Sequence, residues 1–161
     1  EQEMLVRAGQ QADQERRWDI PLTFSPVTSD ARFDAFAQDW LVAAADGPLV
    51  VDTPQLTKDT PFLVNIDVYG YYRVTYDEAS WLSLAETLRT DFTLIPPLNR
   101  AQIICDILSL ERSGHVSTEL KEEVLSYLGE EDDFAPNLAF ERCSAYVKEE
   151  FTDNEAELFR I

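Results

Sequence analysis

Cys105 and His115 are the first residues whose types suggest chemistry, and His115 is the only histidine of the 161-residue chain. As a pair they would be the nucleophile and base of a thiol hydrolase, the imidazole taking the proton from sulfur. Their surroundings oppose this. Cys105 falls among Ile103, Ile104, Ile107 and Leu108, an apolar helical face on which a thiol is buried and inert. His115 lies in Ser113-Gly114-His115-Val116, a turn between helices where an exposed histidine is expected.

Metal chemistry fares no better. A catalytic zinc needs three protein ligands drawn from His, Glu and Cys, and the chain has no His-Glu-x-x-His run. The acidic run Glu130 to Asp133 lacks the alternating ligands and central glycine of a calcium loop and reads as a solvated loop. No G-x-G-x-x-G or Walker loop is present, and the five glycines are scattered. No catalytic, cofactor-binding or metal residue is therefore assigned. With 31 acidic against 13 basic residues and a net charge of −18, the chain is not expected to bind nucleic acid, which requires clustered Lys and Arg. The second cysteine, Cys143, also falls on an apolar helical face. Two cysteines are too few for a disulfide-stapled scaffold of this size, so buried thiols are favoured over a single bridge between two helices. No apolar run approaches the ~20 residues that span a bilayer, and no signal peptide is recognised. A chain starting at Glu1 is expected to be a processed product or an excerpt.

The elements that must position these residues change character along the chain. Trp18, Ile20, Leu22 and Phe24 alternate with other residues, which predicts one strand with these four on one face, at an edge or bulge because of Pro21. Weaker strands are expected at Phe36 to Val42 and Leu49 to Asp52, with a turn at Asp46-Gly47-Pro48. Phe62, Val64, Ile66 and Val68 alternate, as do Tyr72, Val74 and Tyr76. These two runs predict a β-hairpin in which Gly70 supplies a positive φ. After Tyr76 the period becomes helical. Trp81, Leu84, Ala85 and Leu88 follow an Asp77 cap, and Pro96-Pro97 breaks the helix. Ile103 to Leu110 form a second helix ended by Gly114, and a third runs from a Ser117 cap through Leu120, Val124, Leu125 and Leu128 to Gly129. A loop through Pro136 precedes a fourth helix marked by Phe140, Cys143, Tyr146, Val147 and Phe151, and a short fifth helix is expected near Asn154. Strands followed by helices argue for two adjacent domains. The expected fold is α+β: a small β-sandwich over 1–76, then an antiparallel, solenoid-like helical segment over 77–161 that is truncated, since such stacks need about three repeats.

At the hairpin the sequence resembles a known family. Val64-Asn65-Ile66-Asp67 and Gly70-Tyr71-Tyr72-Arg73-Val74-Thr75-Tyr76-Asp77 are similar to a signature of the zinc aminopeptidases typified by aminopeptidase N. Trp81, then Ile95-Pro96-Pro97-Leu98-Asn99-Arg100-Ala101-Gln102-Ile103-Ile104, Asp106, Tyr127-Leu128 and Glu130 to Pro136 follow in the family's order, and Trp18-Asp19-Ile20-Pro21-Leu22 resembles its first sandwich segments. Thr75, Cys105 and Asn137 depart from the usual Asn, a more polar residue and Trp. The resemblance implies a sandwich domain followed by the start of a helical bowl that encloses the active site. It implies Gly70, Tyr72, Arg73, Tyr76, Asn99 and Arg100 as structural, domain-junction positions.

The family's zinc motif and its Gly-x-Met-Glu-Asn segment belong to an upstream domain and do not occur here. The resemblance thus implies a non-catalytic portion of an enzyme that removes N-terminal amino acids from peptides. Zinc, the peptide substrate and the upstream catalytic domain belong to the parent, and a cell-surface location is favoured over the cytosol. The alternative is a stand-alone interaction module, docking on a partner or on itself through the apolar faces of unfinished helix pairs.

Overall fold

The computed structural model describes residues 19–31, 33, 39–41 and 60–145. They form an α+β chain in two units, the first ending at Tyr72 and the second beginning at Arg73.

Among the described residues the first unit carries four short strands, β1 Ile20–Leu22, β2 Phe24–Pro26, β3 Asp39–Leu41 and β4 Phe62–Val64. β1 pairs antiparallel with β3, Pro21 opposite Trp40, and β2 pairs antiparallel with β4, Ser25 opposite Leu63. The single strand expected up to Phe24 is thus two strands that serve two sheets; Trp18 lies outside the described residues. They part at Thr23, which is fully buried. Its Oγ1 accepts from the Ile66 backbone N–H at 2.7 Å and its carbonyl accepts from that of Asn65 at 2.8 Å. The expected face is also reversed. Thr23, Ser25 and Val27 are buried, while Leu22 and Phe24 are half-buried. In β4 Leu63 is buried and Phe62 and Val64 are half-buried. Alternation identifies two faces without saying which is covered, and here both carry apolar side chains.

The expected hairpin does not form. β4 ends at Val64, and residues 73–77 are not in a strand. Asn65, Asp67 and Val68 have φ of 65°, 53° and 56°, which breaks the extended path and makes a 3₁₀ turn at Ile66–Val68. The buried Asn65 side chain organises the backbone from there to Tyr72. Its Oδ1 accepts from the Gly70 N–H at 2.7 Å, and its Nδ2 donates to the carbonyls of Gly70 at 3.0 Å and Tyr72 at 3.3 Å. Asparagine tolerates the left-handed region and bonds nearby backbone, which suits it to this position. The positive φ values therefore fall on residues other than Gly70. Of the remaining strand candidates, β3 lies within 36–42, whereas the 49–52 strand and the 46–48 turn lie outside the described residues.

The second unit is helical: α1 Glu78–Asp91, α2 Pro97–Arg112, α3 Thr118–Leu125 and α4 over 134–145. Asp77 caps α1, its carboxylate accepting from Ser80 N–H at 2.9 Å. Pro96-Pro97 ends the preceding 3₁₀ turn and starts α2, where the missing proline N–H costs no bond. Gly114, at φ 77°, closes α2. His115 N–H reaches the Leu110 carbonyl and Gly114 N–H that of Glu111, the paired bonds of a Schellman motif. Ser117 Oγ caps α3 by accepting from Leu120 N–H at 3.1 Å, and α3 packs on both α1 and α2. Trp81, Leu84, Leu88, Ile95, Ile104, Ile107 and Val124 are fully buried, each contributing roughly 1.5–3 kcal/mol by leaving water.

Three helical expectations change. Of the proposed α3 face only Val124 is fully buried, because a 3₁₀ turn at Ser126–Gly129 takes over and turns Tyr127 inward. Pro136 belongs to the first turn of α4, where proline is tolerated. Cys105 and Cys143 are not thiols but a disulfide joining α2 to α4, with Cα atoms 5.6 Å apart. Tyr146, Val147, Phe151 and the fifth helix lie outside the described residues.

Candidate functional site

Helix α2 is the polar hub of its unit. It buries Asn99, Arg100, Gln102 and Asp106. Asn99, Gln102 and Asp106 follow the i, i+3, i+7 spacing that usually carries apolar side chains. Such groups persist in a core only when their bonds are made, and two networks do this.

The first is centred on Arg100, whose side chain is 2% exposed, against 0% for Glu131. Its Nε pairs with Glu131 Oε2 at 2.8 Å and its Nη2 donates to Glu131 Oε1 at 3.0 Å. The same Nη2 pairs with the half-exposed Asp133 carboxylate. Nη1 donates to the carbonyls of Phe92 at 3.0 Å and Ile95 at 2.9 Å, and the guanidinium lies 5.0 Å from the Phe92 ring centroid, a cation–π distance. Arg100 thus ties the end of α1, the Pro96-Pro97 turn and the acidic loop to the start of α2. Burial, followed by the charge of Glu131, pushes the Tyr127 hydroxyl far above its ordinary range, so that phenol stays neutral.

The second network runs down α2 to Arg73. Asn99 Nδ2 donates to Gln102 Oε1 at 3.1 Å, and Gln102 Nε2 donates to Asp106 Oδ2 at 3.3 Å. Asp106 Oδ2 also accepts from Val74 N–H at 3.1 Å. Arg73 Nη1 donates to Asp106 Oδ1 at 3.1 Å and to the Cys105 carbonyl at 3.3 Å. Burial raises the Asp106 pKa above the ordinary carboxylate value, against the lowering effect of the Val74 N–H and the Arg73 charge. Tyr76 packs edge-on against Trp81, ring centroids 4.9 Å apart.

Of the six positions singled out in the sequence, Arg73, Tyr76, Asn99 and Arg100 fall within the helical unit. Gly70 and Tyr72 fall at the end of the strand unit, where Tyr72 Oη donates to the Pro21 carbonyl at 2.9 Å. A Cβ on Gly70 would meet the Tyr72 ring at 2.2 Å, so any larger residue there would have to displace that ring. The sequence reading misses Asn65, Gln102 and Glu131 as structural partners. Their signal is present as polar residues interrupting apolar runs. The acidic loop is only partly solvated, since Glu131 is buried against Arg100.

The bonds of this arrangement hold backbone segments and side chains of the helical unit together. Cys105 is oxidised and offers no thiolate. His115 is exposed, its Nδ1 2.8 Å from Ser113 Oγ. Glu131, Asp132 and Asp133 bring oxygens within 4.8 Å of one another, and Arg100 pairs with two of the three, Glu131 and Asp133.

The ERAP1-like C-terminal domain family matches residues 61–160. The chain belongs to the aminopeptidase N family. It corresponds to the C-terminal region of that family. Aminopeptidase N of Plutella xylostella is 36% identical over 133 residues, covering 81% of this chain and 14% of that protein. Rattus norvegicus aminopeptidase N is 39% identical over 82 residues, 51% of this chain and 8% of its own. The thyrotropin-releasing hormone-degrading ectoenzyme of Homo sapiens is 33% identical over 119 residues, 74% of this chain and 11% of its own. The chain thus spans no more than about a seventh of these aminopeptidase N family relatives, and both α2 networks lie within the family match.

Proposed function

We propose that this chain is a non-catalytic structural portion of a zinc-dependent aminopeptidase that removes N-terminal amino acids from peptides. In this reading 1–76 is the sandwich domain of the parent and 77–161 the start of its solenoid-like helical domain, with Arg73 and Val74 anchored to Asp106 as the joining segment. Zinc and peptide bind to an upstream catalytic domain. The observation that carries the reading is the pair of networks on α2, within the family match: Arg100 and Asp106 bind backbone groups of neighbouring segments, and Asn99 and Gln102 bind side chains of the same hub. The Cys105–Cys143 bridge supports a cell-surface or secreted setting, because disulfides persist in oxidising compartments. Among the described residues no helix is long and apolar enough to cross a membrane.

The test is the size of the native polypeptide, using an antibody against this chain on extracts of its source. A band several times larger than 18.4 kDa, whose peptidase activity a zinc chelator removes, supports the reading. A native band at 18.4 kDa overturns it in favour of an interaction module, for which the exposed Tyr71, Phe134 and Phe140 are the docking candidates.

A further inference from the structure

Helix α4 is held at two places by different chemistry. Near its start, Asn137 Nδ2 donates to the carbonyls of Glu131 at 3.2 Å and Asp133 at 2.9 Å, the two residues that pair with Arg100. Further along the helix, Cys143 is joined to Cys105 of α2. Burial between these anchors is thin. Among the described α4 residues only Pro136 is buried, and Phe134 and Phe140 are 77% and 39% exposed. A groove of about 520 Å³ lined by Lys121, Leu125, Leu128, Asn137 and Phe140 opens between α3 and α4, so among the described residues that face of α4 is only partly packed. Among the described residues of this unit the fully buried apolar side chains lie on α1, α2, α3 and the Ile95 turn.

We infer that the Cys105–Cys143 bridge is a redox-cleavable lock, whose reduction frees the C-terminal half of α4 from α2 while the anchor at Asn137 holds. Both cysteines are half-buried and neither is in the fully buried core, and thiol–disulfide exchange needs a reductant to reach only one of the two sulfurs. The reductant is a dithiol. One of its thiolates attacks one sulfur of the bridge, forms a mixed disulfide and expels the other cysteine as a thiolate. The second thiol of the reductant then displaces the remaining cysteine. The bridge gains two electrons and two protons, and the dithiol leaves as a disulfide. The Arg73–Asp106 and Arg100–Glu131 pairs do not pass through either sulfur, so α2 keeps its other bonds. Release of α4 widens the Leu125–Leu128 groove.

Amide hydrogen exchange on the folded 161-residue chain, with and without dithiothreitol, tests this. Reduction is expected to raise exchange about tenfold over 138–145, as for local opening, and leave 78–112 unchanged. Cys143→Ser should show the fast pattern without reductant and no response to it. Unchanged exchange over 138–145 in the reduced chain would overturn the proposal. A parallel rise over 78–112 would also overturn it, because the bridge would then hold the whole unit and not one helix.

Discussion

Arg100 and Glu131 stand 31 positions apart and meet at two points, Nε on Oε2 at 2.8 Å and Nη2 on Oε1 at 3.0 Å, with both side chains nearly out of solvent. Breaking a buried pair leaves an uncompensated charge, whereas replacing both members by apolar residues removes it. Arg100→Ala is expected to lose about 3–5 kcal/mol of unfolding free energy, together with the bonds to the Phe92 and Ile95 carbonyls. Arg100→Met with Glu131→Met should lose less than the sum of the two single changes. Urea unfolding of the native chain, the two single methionine variants and the double variant measures this coupling as a double-mutant cycle.

Gly70 and Tyr72 form a second dependence. Because a Cβ at Gly70 would lie 2.2 Å from the ring, Gly70→Ala must move the tyrosine and break its bond to the Pro21 carbonyl. The expected cost is about 1–3 kcal/mol, the range for overpacking. On a Tyr72→Ala background the same change at Gly70 should cost little. Equal costs on both backgrounds, read by thermal unfolding, would show that the ring is not what glycine accommodates.

The helices were legible because their signals are local. Asp77 and Ser117 cap, Pro96-Pro97 interrupts and Gly114 closes, and each does so through bonds to residues a few positions away. The strand unit was less legible. Whether Thr23 or Phe24 faces inward depends on β4, some forty residues later, and on Asn65 N–H reaching the Thr23 carbonyl. No period in a single run encodes that pairing. The polar hub on α2 was half legible. The family resemblance singles out Arg100, but its partner Glu131 sits in a run of four acids whose composition alone reads as solvated surface. The bridge between Cys105 and Cys143 is the less favoured alternative in the sequence because two cysteines on apolar helical faces also suit buried thiols.

Asn65 combines a left-handed backbone with a side chain that makes three bonds to Gly70 and Tyr72. The two contributions separate by substitution. Asn65→Gly keeps the backbone conformation and loses the bonds, and Asn65→Ala loses both. Both should destabilise, Asn65→Ala by about 1 kcal/mol more. Val68 is β-branched, exposed and at φ 56°, a conformation disfavoured for its type. Val68→Asn is therefore expected to stabilise by several tenths of a kcal/mol or more. Chemical denaturation at constant pH ranks the three.

Asp106 and Glu111 predict opposite pH dependences. Burial raises the Asp106 pKa above its ordinary 3.8, so between those two values the folded chain binds more protons than the unfolded one. Stability from this group is then full at pH below 3.8 and falls as pH rises through the raised value. Glu111 is lowered from its ordinary 4.5, first by the hydrogen bond from Lys121. Its contribution is present above that value and is lost as pH falls through the lowered one. Unfolding free energy measured from pH 3 to pH 7 should therefore separate the two variants. The deficit of Asp106→Asn relative to the native chain should shrink as pH rises through the Asp106 window. The deficit of Glu111→Gln should grow over the acid range and then level off. A deficit for Asp106→Asn that does not change with pH would mean that its carboxyl titrates alike in both states and that Arg73 and Val74 fully offset its burial.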